Sequence, residues 1–199
     1  RMYKVNPGVL IPRPETAELA IAVSEEMKDK QQATILDICT GSGCIATTIA
    51  LECPKADVEA WDISPEALQV AKENAAKLGA KVNVVYQDAL NIPYNGERWT
   101  AIVSNPPYVL DSERKDMSPH VLNHEPSLAL FVPDTAPLRF YTAIARYAIT
   151  ALVNGGLLYF EINPLCAKMV EEMLTAAGFK DVAIVDDQYG KQRFVKAYR

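Results

Sequence analysis

Nowhere does the chain string together the roughly 18 apolar residues that a membrane-crossing helix needs, so no segment reads as a transmembrane helix. Its first residues also lack the charged, apolar and small-residue sections of a secretory signal. Cysteine and histidine are scarce, four and two in 199 residues. Cys39, Cys44, Cys53 and Cys166 form no Cys-x-x-Cys pair, which supports neither a zinc site nor a disulfide framework. They read as reduced thiols in a cytoplasmic protein that carries no metal. Basic clusters are missing too. Binding naked nucleic acid depends on neutralising phosphates with grouped Lys and Arg, and a formal net charge of -5 with no such group disfavours that substrate class. There is no internal repeat and no low-complexity tract. An initiator Met is also lacking: the chain opens at Arg1 straight into a patterned segment, and the expectation is a piece of a longer protein with an N-terminal domain ahead of it.

What is present suits one α/β domain. Apolar residues make up 49% of the chain and charged residues 23%, enough for a substantial core under a soluble surface. Short β-rich runs at Thr34–Ile38, Val58–Trp61, Val82–Tyr86, Ala101–Ser104 and Leu157–Ile162, then near Val182 and Phe194, alternate with helical patterns. That alternation predicts a mostly parallel sheet with helices on both faces. The plainest helix follows Ser64, a capping residue. Pro65 suits its first turn, Leu68, Ala71, Ala75 and Leu78 recur at helical spacing, and Gly79 stops it. Between Val109 and Pro137 no periodic stripe exists, and this polar, proline-rich stretch reads as a long functional loop after the fourth strand.

The first strand ends in Asp37-Ile38-Cys39-Thr40-Gly41-Ser42-Gly43 and leads into a helix near Cys44. Glycines let backbone approach a ligand closely, and the helix offers its positive end. Taken alone, Gly41 to Ala46 also satisfies G-x-G-x-x-A, and Asp62 ends the second strand near the spacing of the ribose-binding acid in a dinucleotide site. Two more acids widen the reading. Asp37 can orient the turn or meet the amino-acid part of a ligand, and Asp88, with Ala89 beside it, ends the third strand, where it can accept a hydrogen bond from an adenine amino group. Acids ending three successive strands suit a nucleoside with a cationic sulfonium, S-adenosylmethionine (SAM). Each of them also suits a helix cap or a solvated strand end.

Asn105-Pro106-Pro107-Tyr108 follows the fourth strand directly, at the carboxyl edge where open α/β sheets place ligands. An amide nitrogen is a poor nucleophile because its lone pair is delocalised, so it has to be held with its N–H groups in acceptors. The Asn105 side-chain oxygen and the Pro106 carbonyl are such acceptors, and two prolines stiffen the backbone that presents them. Tyr108 adds an aromatic face for the planar target or the sulfonium. The same tetrad in another setting is simply a rigid turn.

These motifs, together with Val9-Leu10-Ile11-Pro12-Arg13-Pro14-Glu15-Thr16, Asp62-Ile63-Ser64, Glu125-Pro126, Gly155-Gly156 before Glu161-Ile162, and Asp187-Gly190-Arg193, resemble the HemK-type release factor glutamine methyltransferases. The resemblance implies a Rossmann-like, seven-stranded SAM-dependent methyltransferase fold with a C-terminal antiparallel hairpin. Residues 1–20 would be a linker or hairpin segment and 21–199 the catalytic domain. It further implies methyl transfer to the glutamine N5 of the Gly-Gly-Gln loop of peptide-chain release factors. SAM would be held by Asp37, Thr40, Gly41, Ser42, Gly43, Asp62, Ile63, Asp88, Ala89 and Asn105, and the glutamine by the tetrad with Arg13 and Glu15 at its entrance. Arg13 and Glu15 can equally pair with each other, while His124 and Glu125 read as a solvated loop feature. Cys39 stands where most of the family has the first glycine of the cofactor turn, and related enzymes that methylate a ribosomal protein can carry Cys there. Other readings of the residues are a glutamine methyltransferase for a ribosomal protein, a nucleic-acid amine methyltransferase, an NAD-dependent oxidoreductase, and a binding module without catalysis.

Overall fold

The computed structural model describes residues 1–94 and 96–199. Helix α1 (Pro14–Met27) leads into β1 (Thr34–Ile38), α2 (Cys44–Glu52), β2 (Asp57–Asp62), α3 (Pro65–Leu78), β3 (Asn83–Tyr86) and β4 (Trp99–Ser104). After β4 come β5 (Val109–Leu110), a 3₁₀ turn (Asp111–Asp116), α4 (Pro119–His124), α5 (Ser127–Leu130) and β6 (Phe131–Val132). The chain closes with α6 (Arg139–Ala151), β7 (Leu152–Glu161), a short 3₁₀ turn, α7 (Ala167–Ala176), β8 (Lys180–Asp186) and β9 (Gln192–Tyr198). No helix among the described residues is long and apolar enough to cross a membrane. The division expected at residue 20 falls inside α1.

Seven strands form one sheet in the order β3-β2-β1-β4-β7-β9-β8. The first five are parallel, and β9 pairs antiparallel with both β7 and β8, which is the expected C-terminal hairpin. Successive side chains of a strand point to opposite faces, and both faces are covered. Ile35 of β1 therefore packs with Leu19, Val23, Ile45 and Ile49 of α1 and α2, while Leu36 and Ile38 pack with Tyr141, Ile144 and Ala148 of α6. Full burial of each such side chain contributes on the order of 1.5–3 kcal/mol. A charged residue in such a strand runs against that trend, and Asp37 is 0% exposed between these layers. Strand order reverses between β1 and β4, the switch point at which open α/β sheets leave a crevice.

Local chemistry fixes α3, whose first turn borders this crevice. Ser64 caps α3 by accepting the Ala67 N–H, Pro65 occupies its first turn, and Gly79 closes it in the left-handed region at φ 73°. Two expectations need correction. The Val109–Pro137 stretch is built of short elements rather than one irregular loop: β5 pairs with β6, and Ser118 caps α4. Each piece is six residues or fewer, too short to show periodicity in sequence. β7 also begins five residues before Leu157, because Asn154-Gly155-Gly156 is carried through a register shift, with Gly155 at φ 71°.

Candidate active site

The turn after β1 is wound tightly by its own backbone. Cys39, Gly41 and Gly43 all have positive φ, at 61°, 54° and 76°. For Cys39 that conformation costs on the order of 1 kcal/mol, which glycine would not incur. Gly43 is required for packing, since a Cβ there would lie 2.9 Å from Cα and Cβ of Ala71 in α3. At Gly41 a Cβ would meet nothing within 4 Å, so this glycine faces open space.

Asp37 holds the turn from beneath. One carboxylate oxygen accepts the Thr40 hydroxyl at 2.6 Å and the Ala46 N–H at 3.2 Å, while its other oxygen is buried without a partner among the described residues. Burial pushes its pKa up from 3.8 to about 7, against the pull of those two donors. Between these values the native state keeps a proton that the unfolded chain has released. The stability contributed is therefore full below about pH 4 and is lost as pH rises towards 7, at up to about 1.4 kcal/mol per unit. We expect the stability of the native chain relative to Asp37→Asn, measured by urea unfolding, to fall steadily as pH rises across that window. A pH-independent difference would contradict the assignment.

Asp62 and Asp88 stand at the ends of the next two strands. Asp62 accepts the Gly41 N–H and the Ser64 N–H, each at 2.9 Å, and burial raises its pKa against these bonds. It thus joins the β1 turn to the start of α3. Asp88 accepts the Leu90 N–H at 2.8 Å and the Asn91 side-chain amide at 2.5 Å, and each oxygen retains capacity for a further donor. Asn74 of α3, 0% exposed, ties this region together by donating to the Ser42 and Lys4 carbonyls and accepting the Lys4 N–H.

A cavity of about 300 Å³ lies in the crevice, at the small end of the range for ligand pockets. Cys39 to Ser42, Asp62, Ile63, Asp88, Ala89, Asn105 and Pro107 are in its wall. Residues 7–10 and Pro12 of the N-terminal segment and Pro126, Leu128 and Ala129 around α5 also line it. These two segments are tied to each other. Glu125, its side chain 1% exposed, accepts from the Arg13 guanidinium at 2.5 Å and from the Ile11 N–H at 3.3 Å.

Across the cavity floor the tetrad meets a buried polar network. The Asn105 Nδ2 donates to the Thr16 hydroxyl oxygen at 3.2 Å, and Thr16 donates to Glu161 Oε2 at 2.8 Å. Tyr108 donates to Glu161 Oε1 at 3.0 Å. Burial raises the Glu161 pKa while the two hydroxyls and Arg193 oppose the rise, and burial together with Glu161 keeps the Tyr108 phenol protonated. Asn163 closes the network by donating to the Tyr108 carbonyl and to Glu113, which itself caps the Leu110 N–H.

The expected residues thus divide. Thr40, Gly41, Ser42, Asp62, Ile63, Asp88, Ala89, Asn105 and Pro107 converge on one cavity; Asp37 and Gly43 sit behind it as supports; Pro106 and Tyr108 belong to the corner but not to the cavity wall. The Tyr108 hydroxyl donates to Glu161, which anchors the outer end of its ring at this corner. Arg13 pairs with Glu125 and not with Glu15, and Glu125 is a buried anchor, which corrects its reading as a solvated residue. Asn74, Thr16 and Glu161 were passed over as individual residues. Their partners lie 70, 89 and 53 residues away, beyond any local pattern.

Known proteins match this arrangement. Over residues 20–126 the chain fits the family described as Methyltransferase small domain. A solved methyltransferase from Pyrococcus furiosus superposes with a TM-score of 0.69 at 16% identity, over 98% of this chain and 87% of that one. Fold and crevice together define a SAM-dependent methyltransferase of the seven-stranded class, and the nicotinamide reading of the glycine turn falls away. Closer relatives are the release factor glutamine methyltransferases of Bacteroides thetaiotaomicron, 46% identical over 100% of this chain and 71% of that protein, and of Flavobacterium psychrophilum, 41% identical over 98% and 69%. The chain belongs to the release factor glutamine methyltransferase family.

Proposed function

We propose that the chain transfers a methyl group from SAM to the side-chain N5 of the glutamine in the Gly-Gly-Gln loop of peptide-chain release factors. The observation that carries this reading is the Asn105 carboxamide, tied by its nitrogen to Thr16 in the wall of the cavity that also holds Gly41 and Asp62. The residues fit the cofactor: Gly41 leaves room where a side chain would stand, and Asp62 and Asp88, at the ends of two neighbouring strands, line the same cavity. When bound, SAM supplies an already activated methyl group on a cationic sulfur.

What the protein contributes is placement. Gly41 and Ser42 give backbone contact at the N-terminal end of α2; Asp62, fixed by two N–H groups, offers its remaining lone pairs to hydroxyls; Asp88 and Ala89 border the base. Asn105 Oδ1 and the Pro106 carbonyl accept the two N–H groups of the substrate amide, which leaves its lone pair directed at the methyl carbon. Alignment of this kind supplies several kcal/mol without a base, and the methylated amide then loses its proton to water. Tyr108 braces the corner through Glu161. Arg13, locked to Glu125, and Glu15 in the first turn of α1 flank the approach.

A labelled-methyl assay tests the reading. With isotopically labelled SAM, a release factor accepts label on its Gly-Gly-Gln glutamine, and its Gln→Ala variant accepts none. Equal labelling of both proteins would overturn it, and labelling of a ribosomal protein instead would move the enzyme to a different substrate.

A further inference from the structure

Resting on that reading, we propose that Thr16 and Glu161 form a positioning pair that fixes which end of the Asn105 carboxamide faces the substrate. The two ends of an asparagine side chain have nearly the same shape, so packing alone hardly distinguishes them. Only the oxygen end can receive an N–H from a glutamine amide. Hydrogen-bond direction has to make the choice.

The direction is set by a relay behind Asn105 that runs from Thr16, in the cavity wall, to the buried Glu161. Thr16 is buried, and its hydroxyl owns a single proton. That proton goes to Glu161 Oε2 at 2.8 Å, so the hydroxyl oxygen is left as an acceptor, and Asn105 Nδ2 donates to it at 3.2 Å. Flipping Asn105 would set its carbonyl against an oxygen with no proton to give and turn its NH2 towards the guest. Redirecting the Thr16 proton to Asn105 instead would leave a 1% exposed carboxylate one donor short, which is costly for a buried charged group.

Glu161 is itself held in place. It follows Phe160, which pairs with Ser104 across β4 and β7, so Glu161 and Asn105 emerge side by side from neighbouring strands. Its second oxygen is occupied by Tyr108, which lies on the same corner as Asn105. The Pro-Arg-Pro-Glu-Thr segment at the start of α1 thereby delivers one hydroxyl to a tetrad 89 residues further on. Thr16 and Glu161 act through Asn105, not on the substrate.

Two variants of Thr16 in the full chain separate this role from simple packing. Thr16→Val keeps the shape and removes the acceptor; Thr16→Ser keeps the hydroxyl. With a release factor as substrate, Thr16→Val lowers kcat roughly 10-fold, the equivalent of one neutral hydrogen bond, while the SAM dissociation constant stays within about threefold. Thr16→Ser restores kcat to within about twofold of the native chain. By NMR on the ¹⁵N-labelled protein, the Asn105 side-chain amide protons exchange faster with solvent in Thr16→Val and at the native rate in Thr16→Ser. An unchanged kcat in Thr16→Val, a serine variant as slow as the valine one, or unaltered amide exchange overturns the proposal. Should Thr16→Val fail to fold, Glu161→Gln serves instead: its amide can accept from Thr16 or donate to it, so the lock is released and kcat falls severalfold, and an unchanged kcat counts against the pair. A native chain that methylates no release factor defeats the functional reading, whereas the amide-exchange measurement needs no substrate and decides the orientation separately.

Discussion

Replacing Asn105 with alanine is expected to lower kcat for release-factor methylation by roughly 10²–10³, the scale on which enzymes lose rate when one preorganised hydrogen-bonding group at the reacting centre is removed. Among the described residues the side chain joins no apolar cluster and makes one hydrogen bond, to Thr16, so folding should survive its loss. SAM affinity should change by no more than about threefold, because the acids and glycines of the cofactor site lie at or just beyond the ends of β1, β2 and β3 and keep their own bonds. Stopped assays at saturating SAM give kcat, and calorimetric titration with SAM gives affinity. Equal loss in both would mean that Asn105 holds the cofactor rather than the amide.

Asp62→Ala should show the opposite pattern. Asp62 is mostly buried, its charged form opposed by burial and supported by the N–H groups of Ser64, Gly41 and Ile63, so it sits ready to accept further donors. Hydrogen bonds to a charged acceptor are worth about 1.5–3 kcal/mol, so SAM binding should weaken by roughly 10–100-fold. Part of that loss comes through Gly41, whose N–H would be left without its partner at φ 54°. At saturating SAM, kcat should stay within a few-fold of the native value. A variant that binds SAM normally and transfers slowly would reverse the assigned roles.

Much of this site was legible in the sequence because its parts are local. A glycine turn, a capped helix and a strand-following Asn-Pro-Pro-Tyr each specify their own backbone within a few residues, and β1, α3 and β4 carry them to the crevice as expected. Two kinds of feature were not legible. Glu125 resembled a loop acid because nothing near it in sequence marks its burial; Arg13, 112 residues earlier, supplies the partner. The bond from the Tyr108 hydroxyl to Glu161 on a neighbouring strand was equally hidden, its partner lying 53 residues away. In both cases the partner is remote in sequence, and a buried polar group left unpaired is costly, so such bonds form without any local cue. The short elements between Val109 and Val132 escaped detection for a different reason: none is long enough to repeat a hydrophobic period.

The most direct measurement of the central claim is a crystal structure of the chain with S-adenosylhomocysteine and a glutamine-containing Gly-Gly-Gln peptide. The expected result is a glutamine side chain whose amide nitrogen lies within hydrogen-bond distance of both Asn105 Oδ1 and the Pro106 carbonyl, with its open face towards the sulfur. A peptide whose carboxamide sits away from that corner, or meets Asn105 through Nδ2, would contradict it.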